Sequence, residues 1–122
     1  MLFNKPCPEC DSDADYDAAN VYVSGADYTS LNVTAENFYN VLLGDESNGP
    51  ALKSDENSYV FVYYSGNGGT GWLSTPVYDL RYIFADELNN VLQQMRDKKM
   101  FKQLTFYVEA SSSASMFHDL TD

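Results

Sequence analysis

The sequence predicts an α/β fold, a parallel sheet with flanking helices, and three stretches carry that prediction. The first is Tyr59–Gly71, YVFVYYSGNGGTG, in which six apolar or aromatic residues, Tyr59 to Tyr64, break into Ser65-Gly66-Asn67-Gly68-Gly69. A continuous run of this kind suits a strand buried on both faces, as in a parallel sheet covered by helices. The second is Leu104–Val108, which ends likewise in Glu109-Ala110 and the small-residue run Ser111-Ser112-Ser113-Ala114-Ser115. Between them, from about Ala85 to Lys98, Leu88, Val91, Leu92 and Met95 repeat at helical spacing. Strand, helix and strand in that order form a βαβ unit, whose crossover is right-handed in nearly all folds. Open α/β sheets place their chemistry at the carboxyl ends of the strands, so the two small-residue loops predict a site rim.

The remaining elements follow in chain order. Residues 1–20 alternate Pro, Asp, Ala and Ser and read as an irregular acidic lead-in; residues 21–122 form the domain. Val21-Tyr22-Val23 makes a short apolar touch before a turn at Gly25. A helix starts at Thr34, a good N-cap, with Glu36 at the positive end of its dipole. Phe38, Val41 and Leu42 share its apolar face, and Gly44 supplies the left-handed stop. Asp45–Asn57 is a polar loop and Trp72–Arg81 a mixed connection. In the second helix Asp86 and Glu87 fall in the first turn and Lys98 and Lys99 at the end, both matching the dipole. Asn32-Val33-Thr34 matches a glycosylation sequon, a triplet that also arises often by chance. Two apolar strands need neighbours on both sides and helices on both faces. The expectation is a fragment, a truncated relative, or a piece whose sheet a partner chain completes.

Composition bounds the partners. The 122 residues make one domain at most, and a 44% apolar fraction with ten Tyr and seven Phe can build a core. Residues 1–60 carry eleven acids and two bases, residues 61–122 seven acids and five bases, giving a net charge of −11. So acidic a chain repels phosphate backbones, which argues against nucleic acid. No run of about 18 apolar residues is present to span a membrane. Met1-Leu2-Phe3-Asn4-Lys5-Pro6 lacks the long apolar core of a signal peptide. Cys7 and Cys10 form one Cys-x-x-Cys pair, short of the four ligands of a zinc site, and acidic residues follow where a redox helix would start. No cofactor or metal is expected.

Several side chains at the predicted rim admit two readings. Ser111–Ser113 is a hydroxyl cluster that fits a helix N-cap or an anion nest better than a nucleophile. Glu109 at a strand end is either a pocket carboxylate or an acceptor for loop N–H groups. His118, the only histidine, lies seven residues past Ser111 and reads as a surface residue rather than a base.

At these residues the chain resembles the legumain family, the asparaginyl endopeptidases of the caspase-like clan. The similarity runs through Asp27-Tyr28-Thr29, Val33-Thr34 with Asn37-Phe38, Leu42 to Asp45, Leu52-Lys53-Ser54, Tyr59–Gly71, Tyr82–Leu92 and Phe101–Leu120. Its most specific stretch is Phe106-Tyr107-Val108-Glu109-Ala110, followed by small residues and Ser115-Met116-Phe117. The related lipid-anchor transamidase is a weaker match, since its nucleophile segment lacks the Glu-Ala pair. The resemblance implies a partial caspase-like fold and a cysteine-type endopeptidase cleaving after Asn. It also implies a secretory, vacuolar or lysosomal setting and a peptide or protein ligand.

The family places its catalytic histidine in the order Ser-Asp-His-Gly-Gly; here that position holds Asn67, between Gly66 and Gly68. The family nucleophile, a Cys after Glu-Ala, corresponds to Ser111, and the Glu that follows it to Ser112. Glu109 matches an acidic residue of the pocket for the substrate asparagine. An imidazole beside a thiol yields a thiolate near neutral pH. An amide accepts no proton at physiological pH, and a hydroxyl is a far weaker acid than a thiol. The expectation is a family member without catalysis. The alternatives are a hydrolase using Ser111 with a base from elsewhere, and a non-enzymatic binding or scaffold fragment.

Overall fold

The structure, a computed structural model, describes residues 25–77 and 82–120. The lead-in, Val21–Val23, Cys7 and Cys10 lie outside the described residues.

Strand β1, Tyr59–Ser65, pairs in parallel with β5, Gln103–Glu109, over seven register pairs from Tyr59 opposite Gln103 to Ser65 opposite Glu109. Both exceed their predicted apolar runs by one residue or so, because the ladder continues through polar ends. Helix α1, Ala35–Leu43, begins where the Thr34 hydroxyl accepts the Asn37 N–H at 3.1 Å. It ends at Gly44, whose φ of +73° is the left-handed stop the sequence predicts. Helix α2, Ala85–Asp97, also falls where its periodicity puts it, with Lys98 as C-cap. Among the described residues no helix is long and apolar enough to cross a membrane.

The helices and the inner face of the strand pair enclose one core. Leu88, Met95, Leu73 and Met116 are its most completely buried side chains. Val62, Tyr64, Leu104, Phe106 and Val108 pack against it from the strands. The Phe38 ring of α1 meets the edge of Phe106 with centroids 6.4 Å apart, and Phe117 lies 5.4 Å from Phe106 on centroids.

Two expectations are corrected. The strands are not buried on both faces: β1 alternates, with Val60, Val62 and Tyr64 inward and Tyr59, Phe61 and Tyr63 exposed, and Tyr107 is exposed on β5. Both helices cover the same face, and no described element covers the other. The outward positions Tyr59, Phe61 and Tyr63 of β1 hold aromatic rather than polar residues, which is why that run reads as uniformly apolar. The connection after β1 is likewise more ordered than predicted. It forms a small antiparallel sheet of β2, Gly68–Gly69, β3, Trp72–Leu73, and β4, Ile83–Phe84. Part of the glycine loop is therefore a strand.

Asn89 is the one buried polar residue of the described core, 3% exposed, and neither atom of its amide has a hydrogen-bond partner. Leu88→Ala, which opens a cavity beside it, is expected to lower unfolding free energy by about 2–5 kcal/mol in chemical denaturation. Asn89→Leu removes two unmet polar atoms at similar volume and is expected to leave stability unchanged or raise it by about 1 kcal/mol.

Candidate active site

Because β1 and β5 run parallel and end level, the segments leaving them emerge side by side. The Gly66 N–H donates to the Glu109 carbonyl at 3.1 Å, one step past the last register pair. Gly68 then lies directly against the other segment. A Cβ built on it would stand 3.0 Å from Ala110 Cβ, 3.1 Å from Leu73 Cδ2 and 3.1 Å from the Ser111 carbonyl oxygen. A glycine is favoured here by close approach, since any Cβ would push its neighbours back by a few tenths of an ångström. The loop bearing Asn67 and the loop bearing Ser111 thus share one edge of the molecule.

Each loop is held by its own bonds. The Asn67 carbonyl accepts the Ser74 N–H at 2.9 Å and faces the Tyr64 hydroxyl, also at 2.9 Å. The same hydroxyl sits 2.8 Å from the Ser74 carbonyl, so its single proton serves two acceptors. On the other loop, the Ser115 hydroxyl donates to the Ser112 carbonyl at 2.6 Å and accepts the Gly71 N–H at 2.8 Å, tying the two segments together. These bonds leave the side chains of Asn67, Ser111 and Ser112 exposed, and none of the three makes a hydrogen bond among the described residues.

Other sequence readings resolve differently. Ser111–Ser113 is not a side-chain cap: the short 3-10 turn Ser113–Met116 starts at Ser112, which has φ of +56° and no capping bond from its hydroxyl. The Glu109 carboxylate is not an acceptor for loop N–H groups; it accepts the Tyr63 hydroxyl at 2.5 Å across the strands. Tyr63 and Glu109 project on the same open face. His118 is exposed, as expected, with Nδ1 3.2 Å from the Ser115 carbonyl and Nε2 3.1 Å from Asp119 Oδ1. No hydrogen bond joins its ring to Ser111. Nothing in the sequence marks Tyr63, Tyr64 or the bonding role of Ser115. Tyr64 sits within an apolar run and Ser115 within a run of small residues, so neither stands out before the strand ends are seen together.

No group of three or more metal-ligating side chains occurs among the described residues. A groove of about 480 Å³ lies elsewhere, between the starts of α1 and α2, lined by Glu36, Tyr39, Asp86 and Glu87 among others. Burial foremost, then the charge of Glu87, pushes the Tyr39 phenol above the usual tyrosine range. Neither Asn67 nor Ser111 borders that groove.

Strands that deliver two small-residue loops to one sheet edge, with helices on the face behind, define a partial caspase-like α/β domain. The chain belongs to the peptidase C13 family, whose model matches residues 7–122. It is 40% identical over 126 residues to the vacuolar-processing enzyme delta-isozyme of Arabidopsis thaliana, an alignment covering 98% of this chain and 24% of that protein. It is similarly 40% identical to a vacuolar-processing enzyme of Vicia sativa, over 98% of this chain and 23% of the relative. Against legumain of Rattus norvegicus it is 41% identical over 102 residues, 79% of this chain and 23% of that protein. The chain spans about a quarter of the length of these relatives.

Two tests follow from this geometry. Gly68→Val puts a side chain into the contact with Ala110 and Ser111, and is expected to cost about 1–3 kcal/mol in chemical denaturation by forcing the loops apart. The hydrogen bond to Glu109 is the main cause that raises the Tyr63 phenol above the usual tyrosine value of about 10, against a smaller opposing hydrogen bond from Ser65. Because the neutral phenol is the favoured form, the Glu109 bond is intact below the ordinary tyrosine pKa and is lost as pH rises through the elevated one. In an NMR titration Tyr63 should ionise at higher pH than a free tyrosine, and Glu109→Gln should bring it back toward the usual range.

Proposed function

We propose that this chain is a catalytically silent member of the peptidase C13 family, acting as a binding or scaffold piece rather than as a peptidase. The observation that carries the reading is the pairing of Asn67 and Ser111 on one sheet edge. These are the positions that, by resemblance, hold the family's histidine and cysteine, and Glu109 and Ser112 are the neighbouring positions of its substrate pocket. The two loops meet beside Gly68, and the residue types at the two positions lack a dyad's chemistry: an amide cannot take the proton and a hydroxyl gives it up poorly. The one imidazole at hand, His118, is engaged with Ser115 and Asp119. Removing a unit of catalytic groups that act together costs on the order of 10⁶ in turnover. Peptide or protein is the expected ligand of the rim.

Incubation with a fluorogenic peptide containing Asn, at acidic and at neutral pH, is expected to give no turnover above the buffer rate. Turnover that vanishes in Ser111→Ala would instead establish a serine hydrolase with a base from elsewhere. The geometry is tested separately by restoring the dyad. The thiol of Asn67→His/Ser111→Cys should react with iodoacetamide near pH 6 about tenfold faster than that of Ser111→Cys alone, since an adjacent imidazolium lowers the thiol pKa by a unit or more. Equal rates would mean that the two positions do not meet.

A further inference from the structure

The sequence holds two Asn-Gly steps, Asn48-Gly49 and Asn67-Gly68. At such a step the glycine nitrogen can attack the preceding side-chain amide with no Cβ in its way and with a backbone free to turn. The fold treats the two steps differently. Asn48 is held at both reacting groups: its Nδ2 donates to Asn37 Oδ1 at 3.1 Å, and the Gly49 N–H donates to the Glu46 carbonyl at 3.3 Å. At Asn67 neither group is engaged among the described residues. Its carboxamide is exposed and makes no hydrogen bond there. The Ser74 N–H bonds the Asn67 carbonyl, so Gly68, opposite Leu73, falls at the next, non-bonded position of the antiparallel pair, with its N–H turned away from β3. No other described carbonyl accepts that N–H. Attack also requires the Gly68 nitrogen to lose its proton, and the resulting negative charge is shared with the Asn67 carbonyl oxygen. That oxygen accepts the Ser74 N–H at 2.9 Å and faces the Tyr64 hydroxyl at 2.9 Å. Donors already placed where charge develops lower the barrier.

We propose that Asn67 is a site of spontaneous hydrolytic deamidation, selected by the fold over Asn48, with water as the only co-reactant. The Gly68 nitrogen gives its proton to hydroxide and bonds to Asn67 Cγ. The Cγ–Nδ2 bond breaks, and the nitrogen takes a proton from water and leaves as ammonia. The product is a cyclic imide spanning Asn67 and Gly68. Water then opens the ring. Attack at Cγ gives Asp in an ordinary peptide chain, and attack at the backbone carbonyl gives isoaspartate, with the chain routed through Cγ. Both products place a carboxylate at the position where the family resemblance expects an imidazole. Isoaspartate also lengthens the main chain directly before Gly68, the residue packed against Ala110 and Ser111. A carboxylate with an ordinary pKa of about 4 is too weak a base to activate a serine by itself. The change therefore charges the rim without restoring catalysis, and the proposal does not depend on whether the rim binds peptide.

Peptide mapping by mass spectrometry tests it, on the folded 122-residue chain incubated at neutral pH in heavy-oxygen water. The expected result is that Asn67 converts about tenfold or more faster than Asn48, the factor set by the hydrogen bonds that Asn48-Gly49 must first break. Both Asp and isoaspartate should be recovered at Asn67, each carrying solvent oxygen. In the chain unfolded by urea the two steps should convert at similar rates, because their difference lies in the fold. Tyr64→Phe should slow conversion at Asn67 by about threefold or more and leave Asn48 unchanged, through loss of a donor to the charged carbonyl oxygen. The comparison of folded with unfolded chain needs no variant, so it stands if Tyr64→Phe folds poorly. An Asn67 that converts no faster than Asn48 in the folded chain overturns the proposal. Asp without isoaspartate overturns the imide route, and a Tyr64→Phe rate equal to that of the parent overturns the role given to the carbonyl contacts.

Discussion

The parallel ladder between β1 and β5 is the constraint on which the rest depends. Its seven register pairs end at Ser65 and Glu109, and that level ending is what brings a glycine loop and a serine loop together. A slip of one residue would turn Val60, Val62 and Tyr64 outward and expose the core. It would also separate Gly66 from the Glu109 carbonyl it now bonds. Register is thus specified by burial and expressed at the site. Gly68 completes the meeting, because without a Cβ its backbone rests on Ala110 and Ser111 with no neighbour displaced.

Much of this was legible in the residues. Thr34 and Gly44 mark the bounds of α1 by local chemistry, a hydroxyl that caps and a backbone that tolerates positive φ. The 3.6-residue stripe of Leu88, Val91, Leu92 and Met95 locates α2 without any tertiary knowledge. The strands were legible in place but not in environment. Tyr and Phe occupy outward positions, so the period of two that would reveal a half-exposed strand is hidden by residues apolar on both sides. The β2–β4 sheet escaped for a different reason. Its strands are two residues long, below the length at which alternation has meaning, and two of its residues are glycines with no strand propensity. At the site, Asn67, Gly68 and Ser111 could be named from the resemblance. The bonds that pose them, from Tyr64 to Asn67 and from Gly71 to Ser115, depend on register and could not.

The site and the open face are two consequences of one arrangement. Parallel strands with helices on both faces bury everything but their ends; here the helices take one face, and the other keeps its aromatic residues exposed. Glu109 stands where the two meet. Its backbone carbonyl holds the glycine loop, while its carboxylate turns onto the open face to meet Tyr63. A residue matching a pocket carboxylate by family resemblance thereby has its carboxylate on the open face rather than among the loop N–H groups.

The central proposal is that Asn67 and Ser111 share an edge without a group, among the described residues, able to take the serine proton. Intact-protein mass spectrometry after incubation of the folded chain with a fluorophosphonate tests it most directly, since that reagent reports serine activation without requiring a substrate to fit. The account predicts no adduct. A stoichiometric adduct mapped to Ser111, and absent from Ser111→Ala, would contradict it.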